Sequence, residues 1–250
     1  FLGAGEGQQL DSSVNSDGLV FLAAIDYPPF SFMDSTGKLN GFNVYLARAV
    51  CEELGYTTNC IASGRKWEEL ESDFRNGLGN VLISGLAPTS ANQDIYTFTK
   101  PFLRFPGRFV SGKVKVADGD LDKGLGKTKV GVVSNSAFAA QLKAFFPGAD
   151  IVSYAQESFM LADLQEGRIN LIFGDGLRLS FWLGSQENRS CCSFVGGPYY
   201  SDRFLGEGMR FAVSASNRAL AEQLNSALIS LQKKGKIDEL FLRFFPVSFY

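Results

Sequence analysis

The chain has 250 residues, of which 45% are hydrophobic and 20% are charged, enough to build one large hydrophobic core or two modest ones. The formal net charge of -2 excludes the global positive field of a nucleic-acid-binding protein, so we expect no nucleic-acid partner. Histidine is absent, which removes the commonest general base and metal ligand, so we expect neither a metal site nor a cofactor.

The first residues and the longest apolar runs bear on membrane contact. No apolar run approaches the roughly 20 residues of a membrane helix, so we expect no membrane insertion. Residues 1–17 are rich in Gly, Ser and Asp and lack the basic and apolar regions of a signal peptide. They predict a flexible N-terminal tail.

The first part of the chain alternates buried strands with amphipathic helices. Short apolar runs predict strands, and apolar residues that recur at helical spacing before a glycine predict helices. On this basis we predict strands at 20–25, 56–62 and 81–83, helices at 43–54 and 67–74, and a hairpin-like turn at 34–38.

The same alternation continues to the end of the chain. It predicts strands at 129–133, 151–154, 171–173 and 210–213, and helices at 136–146, 158–166 and 218–234. Such alternation is typical of an α/β protein with mainly parallel sheets. Two blocks, at about 19–104 and 128–196, are joined near 104–107 and 196–199. We therefore expect two lobes, two crossings between them and a ligand cleft at the strand ends.

Four cysteines permit two disulfides. Cys51 lies late in a predicted helix and Cys60 in the strand that follows, which favours a local bridge. The adjacent pair Cys191 and Cys192 is compatible with a vicinal disulfide or with two small reduced thiols, and both alternatives stay open. No CxxC motif is present, so we expect no zinc site, and the even number favours an oxidising compartment.

Short segments follow one another at a characteristic spacing over residues 18–246. They are YPPFSF (27–32), GKLNGFNV (37–44), WEEL (67–70), ISGLAPT (83–89), YTFTKPF (96–102), KVGVV (129–133), GD (174–175) and GKI (235–237). Each is weak alone. In this order and spacing the chain resembles the periplasmic solute-binding proteins of the polar amino-acid type, family 3.

The resemblance implies a two-lobed clamshell of type II, with mixed sheets flanked by helices and two hinge crossings. The first lobe is expected to comprise 18–105 and 197–250, and the second 106–196. Such proteins close on a small solute and present it to an ABC permease. The resemblance thus implies a monomer with a periplasmic or extracellular location and no enzymatic activity.

Matched positions suggest how a solute would be held. Asp175 matches the Asp that takes the α-ammonium of an amino acid in this family, and its place after a strand also suits a helix N-cap. Tyr27 and Trp67 match the aromatic walls, and Phe30 and Phe138 add aromatic surface.

Polar groups for the solute carboxylate come from two further segments. The loop after the strand at 81–83 supplies the matched residues Ser84, Gly85, Ala87 and Thr89, and Ser136 supplies a hydroxyl at the start of a helix. The resemblance assigns backbone and hydroxyl groups of these residues to ligand binding.

One departure from the family concerns charge. The position of the Arg that grips the α-carboxylate holds Asn92, which forms hydrogen bonds but carries no charge. This favours a cationic or neutral, partly apolar solute. Arg65, Lys100, Arg104 and Arg108 are candidates to replace the lost charge from another direction.

Other functions fit the same resemblance. A sensory or degenerate binding domain would act through a protein partner, and a dehydratase of similar fold would use acid–base residues in the cleft. Without histidine, such catalysis would depend on carboxylates, Lys or Tyr.

Overall fold

The computed structural model describes residues 18–56, 58–83, 85–126 and 128–250. The predicted flexible tail, residues 1–17, and the predicted ligand residue Ser84 lie outside the described residues. Two five-stranded mixed sheets flanked by helices organise the described chain. This confirms the predicted α/β class.

Five strands form the first sheet: β1 (Leu19–Ala24), β5 (Cys60–Arg65), β6 (Val81–Ile83), β7 (Tyr96–Phe98) and β13 (Ala212–Ser214). Their order is β5-β1-β6-β13-β7. A small antiparallel sheet of β2 (Asp26–Tyr27), β3 (Ser31–Met33) and β4 (Leu39–Asn40) follows β1. The helical elements of this part are α1 (Phe42–Glu53), a 3-10 helix (Trp67–Glu69), α2 (Leu70–Arg75), α9 (Arg218–Lys233) and α10 (Lys236–Phe244).

Five other strands form the second sheet: β8 (Gly107–Ser111), β9 (Lys129–Val133), β10 (Asp150–Tyr154), β11 (Leu171–Asp175) and β12 (Ser193–Tyr199). Their order is β10-β9-β11-β8-β12. Helices of this part are α3 (Asp118–Asp122), α4 (Ala137–Phe145), α5 (Glu157–Glu166), α6 (Gly176–Leu183), α7 (Gln186–Cys191) and α8 (Asp202–Leu205). Because α4, α5 and α6 follow β9, β10 and β11, their N-termini gather at one edge of the sheet.

Both sheets repeat one pattern of strand directions. Three neighbouring strands are parallel, and the last two pairings are antiparallel. In each sheet one strand, β13 or β8, thus runs against the other four, which agrees with the mainly parallel sheets predicted from alternation and with the mixed sheets implied by the resemblance. The alternation of strands and helices in the sequence indicates only the strand–helix units. It does not indicate the direction of β8 and β13, because each of these strands enters its sheet directly after a crossing.

The chain crosses between the sheets twice, after β7 and after β12. The two crossings run side by side: Met209 N donates to Leu103 O at 2.7 Å, and Phe102 N donates to Met209 O at 2.9 Å. Gly208 has φ 103°, and a Cβ on it would lie 2.4 Å from Leu103 O. Only glycine allows this close approach of the two crossings.

Strand β12 bears on the predicted lobe boundary. It continues to Tyr199, which pairs with Gly107 of β8. The boundary predicted after residue 196 thus falls inside a strand. It was predicted at this position because the sequence GGPY at 196–199 resembles a joint. The strand is irregular here, with a register shift between Val195 and Tyr199.

Each sheet has a buried core of its own. Phe21, Phe42 and Phe211 are fully buried around the first sheet, and Phe109 and Phe173 around the second. Two halves with separate cores, joined by two crossings, suit a rigid-body motion.

Both pairs of cysteines form disulfides. Cys51–Cys60 joins α1 to β5, as predicted. Cys191–Cys192 is a vicinal disulfide at the junction of α7 and β12, which decides between the two alternatives left open by the sequence.

Candidate functional site

A cavity of about 240 Å³ lies where α4, α5 and α6 begin. It is lined by Val133, Ser136, Phe138, Glu157, Met160, Phe173, Gly174, Asp175 and Arg178. Three residues predicted from the sequence are among them. The structure therefore brings together Ser136, Phe138 and Asp175, the part of the predicted site that the second sheet supplies.

Asp175 ends β11 and caps α6. Its Oδ1 accepts a hydrogen bond from Leu177 N at 2.9 Å, so the predicted N-cap is present. Burial raises the pKa of Asp175, and hydrogen bonds from the Leu177 and Arg178 amides oppose this rise. A carboxylate in such partly dry surroundings is stabilised by a cationic partner.

Ser136 caps α4 with the same hydroxyl that lines the cavity. Its Oγ accepts from Ala139 N at 3.1 Å and donates to Val133 O at 2.6 Å. The single hydroxyl hydrogen is thus engaged within the protein. Ser136 can offer a solute only its remaining acceptor capacity.

The first sheet contributes aromatic surface. The ring of Tyr27 lies 4.9 Å from that of Phe30 and 5.7 Å from that of Trp67, measured between centroids. Trp67 is 51% exposed, whereas Phe30 is only 2% exposed. Phe30 packs against Phe105 and Phe245 in the core. The prediction that Phe30 binds ligand is corrected: the Phe30 ring is buried and packs against the ring of Tyr27.

Tyr27 lies beside the loop after β6, and its hydroxyl is influenced by the charge of Asp175. Burial raises the pKa of its hydroxyl, and the negative charge of Asp175 adds to the rise, so the two side chains lie within electrostatic reach. A Cβ on Gly85 would lie 3.9 Å from Tyr27 Oη. Tyr27 therefore lies next to the loop after β6.

The loop after β6 is held by Asn92. Its Oδ1 accepts from Thr89 N at 2.9 Å, and its Nδ2 donates to Ala87 O at 3.0 Å. Gly85, Ala87 and Thr89 are exposed. Asn92 thus shapes this loop with both ends of its amide and brings no charge to it.

Four residues were predicted to replace the positive charge that is missing at Asn92, and two of them, Arg65 and Lys100, belong to the half of the first sheet. Arg65 Nε donates to Asp73 Oδ2 at 2.7 Å, and its Nη1 donates to Ser63 Oγ at 2.7 Å. Lys100 is exposed, and its backbone amide donates to Asn225. Neither lines the Asp175 cavity.

The other two substitutes lie at and beyond the first crossing. Arg104 pairs with Asp202 at 2.5 Å and lines a different cavity. Arg108 is 4% exposed, donates to Gly196 O at 3.0 Å and lies 4.4 Å from the centroid of the Phe194 ring. The structure thus brings none of the four predicted cations to Asp175.

A different ion pair lines the cavity. Arg178, in the first turn of α6, donates from Nε to Glu157 Oε2 at 3.0 Å and from Nη2 to the same oxygen at 2.5 Å. Sequence reasoning missed both residues. The available signal was position: Glu157 begins the helix after β10, and Arg178 follows Asp175 by one helical turn.

Within the described parts of the chain, no group of three or more His, Cys, Asp or Glu side chains is placed to hold a metal ion. None of the helices there combines the length and apolarity that a membrane span requires.

Comparison with known proteins gives the family and the fold. Residues 19–247 match the bacterial extracellular solute-binding proteins, family 3. The putative ABC transporter arginine-binding protein 2 of Escherichia coli strain K12 is 27% identical over 234 residues, which cover 94% of this chain and 93% of that protein. The L-cystine solute receptor of Neisseria gonorrhoeae, in its unliganded open conformation, superposes with a TM-score of 0.73 at 21% identity, covering 92% of this chain and 94% of that chain.

A further structural neighbour bears on the alternatives. An ancestral cyclohexadienyl dehydratase superposes with a TM-score of 0.73 at 17% identity, covering 91% of this chain and 92% of that chain. This likeness shows a shared fold, and a fold alone carries no activity. The family match confirms the predicted solute-binding clamshell with its periplasmic or extracellular location and favours none of the alternatives. The chain belongs to the bacterial extracellular solute-binding proteins, family 3.

Proposed function

We propose that the chain captures a small amino-acid-like solute by its ammonium group, in the cleft between the two sheets, and delivers it to an ABC-type permease. The observation that carries the proposal is the half-buried carboxylate of Asp175, which lines a cavity and lies within electrostatic reach of Tyr27. The name of the arginine-binding relative supports a solute of the amino-acid type.

The ammonium group has a physical reason to bind here. A carboxylate whose pKa is raised by burial lacks the full hydration of an exposed one. A charge-assisted hydrogen bond from an ammonium replaces that hydration and is about twice as strong as a bond between neutral groups.

We propose that aromatic side chains form the rest of the cleft. Trp67 and Tyr27 approach from the first sheet, and Phe138 lines the cavity of the second. A cation over one of these rings would gain about 0.5–2 kcal/mol, and an apolar side chain would be desolvated between them. The walls thus suit a solute with both a positive group and an apolar stem.

Closure would follow from a solute that touches both halves. The lobes we propose are residues 18–105 with 200–250, and 106–199, because β12 continues to Tyr199. The short helix α8, which follows, packs against α4 of the second lobe. A solute held by Asp175 and Trp67 together favours the closed state, because only that state allows both contacts. We propose that the protein works as a monomer, which the permease recognises in this closed form.

The protein is proposed to bind without converting its solute. Asp175 caps a helix and Glu157 is paired with Arg178, so neither carboxylate stands free as an acid–base group. Incubation with a prephenate-like substrate should therefore leave it unchanged by mass spectrometry. Turnover would instead assign the chain to the dehydratases.

Calorimetry with a panel of solutes tests the proposal. The panel contains L-arginine, L-lysine, L-ornithine, L-glutamine, L-phenylalanine and their decarboxylated amines. Asp175→Asn keeps the acceptor for the helix cap and removes the charge. We expect it to weaken binding of the tightest solute about 100-fold, the effect of one charged hydrogen bond.

A matched control separates this effect from a general loss of charge. Asp150→Asn removes an exposed carboxylate at the start of β10, on the same sheet. It should leave the affinity unchanged. Equal binding by wild type and Asp175→Asn, or no binding of any panel member, would contradict the proposed site.

A further inference from the structure

The charge of the site is incomplete if the solute carries a carboxylate. Asn92 holds its loop and offers no positive charge, and none of Arg65, Lys100, Arg104 and Arg108 lines the cavity. An unpaired carboxylate buried by closure would cost several kcal/mol. Among the described residues that line the cavity, Arg178 is the cation.

We propose that Arg178 binds the carboxylate of the solute, so that the second lobe holds both the ammonium, at Asp175, and the carboxylate. This rests on the proposed function and names a residue and a solute class for it: a zwitterion with the two groups close together. The carboxylate grip would thus come from α6 of the second lobe and not from the loop after β6.

The hydrogen bonds of Arg178 leave a donor edge for this role. Nε and Nη2 donate to Glu157, and the described residues include no hydrogen bond from Nη1. A guanidinium has five donors in a planar fork, so its Nη1–Nη2 edge can take a second carboxylate while the Nε–Nη2 edge keeps the first. Glu157 then acts as a positioning residue that fixes the plane of the fork.

The spacing of the two charges fits a zwitterion. Asp175 is the cap of α6 and Arg178 lies in its first turn, three positions on, and both line the same cavity. Residues three apart on a helix are neighbours on its surface. The carboxylate of Asp175 and the guanidinium of Arg178 are therefore neighbours. An amino acid also carries two neighbouring charges, so its ammonium can face Asp175 while its carboxylate faces Arg178.

Exposure gives Arg178 room to bind. Its side chain is 68% exposed, against 25% for Glu157. An exposed ion pair such as Arg178–Glu157 contributes little to the stability of the fold. Stability therefore does not explain why the pair lies at the edge of a cavity. When the first lobe closes over it, the loss of water strengthens each charged contact.

The test compares each amino acid of the calorimetric panel with its own carboxamide. The amide keeps the ammonium and side chain and loses only the negative charge. Wild type should bind the tightest amino acid about 10- to 100-fold more tightly than its amide, the range expected for a charged hydrogen bond. Arg178→Gln should remove this preference. Arg178→Lys should restore part of it, because the charge returns without the fork.

A second arm and a control sharpen the result. Glu157→Gln should reduce the preference by a smaller factor, because Arg178 stays but is less well positioned. Arg168→Gln removes another exposed arginine of this lobe, paired with Asp163, and should change nothing.

Two outcomes would overturn the inference. One is a preference of wild type for the acid that persists in Arg178→Gln, and the other is equal binding of acid and amide by wild type. If Asp175→Asn still weakens binding in either case, the proposed function survives without this role for Arg178. If Asp175→Asn has no effect, the proposed site itself fails.

Discussion

The two proposed lobes carry different parts of the proposed site. The first presents aromatic rings, with Trp67 half exposed beside Tyr27, and a loop held by Asn92 without charge. The second presents charged groups, Asp175 and the pair Glu157–Arg178, at the beginnings of helices. The difference suggests a division of roles in which one lobe fixes the charged end of the solute and the other covers it.

The same contrast extends to the covalent framework. In the first lobe Cys51–Cys60 ties a helix to a strand nine residues away, whereas in the second Cys191–Cys192 joins neighbours. A cross-link stabilises mainly by restricting the unfolded chain, and its effect grows with the loop that it closes. The two bridges are therefore expected to differ in their effect on stability.

The largest effect is expected from the first bridge. Replacing Cys51 and Cys60 together by Ala should lower the free energy of unfolding by about 2.5 kcal/mol, from the loss of loop closure. Urea denaturation measures this change. The matched control, Cys191 and Cys192 both replaced by Ala, should lose less than about 1 kcal/mol. Similar losses of unfolding free energy in the two double variants would contradict the expected difference between the bridges.

The pH dependence of binding should report on the second lobe. An ammonium solute needs Asp175 ionised, and burial raises the pKa of this carboxyl above its ordinary 3.8. Affinity should therefore begin to fall at a higher pH than an exposed Asp would give, and then drop about tenfold per pH unit below that pKa. Calorimetry from neutral pH downward, with circular dichroism to verify folding, measures it.

The variant Asp175→Asn supplies the control for this profile. Its weaker binding should not follow the same titration, since the group that titrates has been removed. A wild-type affinity that stays constant with falling pH, or one that falls identically in the variant, would show that Asp175 is not the counter-ion.

A smaller effect is expected from the aromatic lobe. Trp67→Ala should weaken binding by about 1 kcal/mol, roughly fivefold in Kd, because one wall of the cleft is lost. Trp67→Phe keeps an aromatic face and should retain most of the affinity. The measurement is calorimetry with the tightest solute of the panel. A loss as large as that of Asp175→Asn would contradict the division of roles between the lobes.

Much of the fold could be predicted because several elements have simple patterns. Strands β6 and β9 have the predicted bounds, and β1 and α1 are each displaced by one residue. Strand β8 has no such pattern: its sequence GRFVS places the buried Arg108 in the middle of a sheet. An arginine at that position conceals a central strand from any rule based on apolar runs.

Prediction of the site was limited by contacts between distant parts of the chain. The helix N-cap role of Asp175 could be predicted because a strand end and a helix start define its place, whereas its ligand-binding role was implied by the family resemblance. The pairing of Glu157 with Arg178 joins two helix starts that are 21 positions apart, and no local pattern indicates it. Phe30 is close to Tyr27 in the sequence, but its carbonyl accepts a hydrogen bond from Asn43 N at 2.8 Å, and its ring is buried in the core.

The most direct test is a crystal structure of the protein with the tightest-binding solute of the panel. We predict a closed clamshell in which the solute ammonium lies within hydrogen-bond distance of Asp175 and the solute stem contacts Trp67. A solute bound elsewhere, or one bound in the cleft with its ammonium away from Asp175, would contradict it.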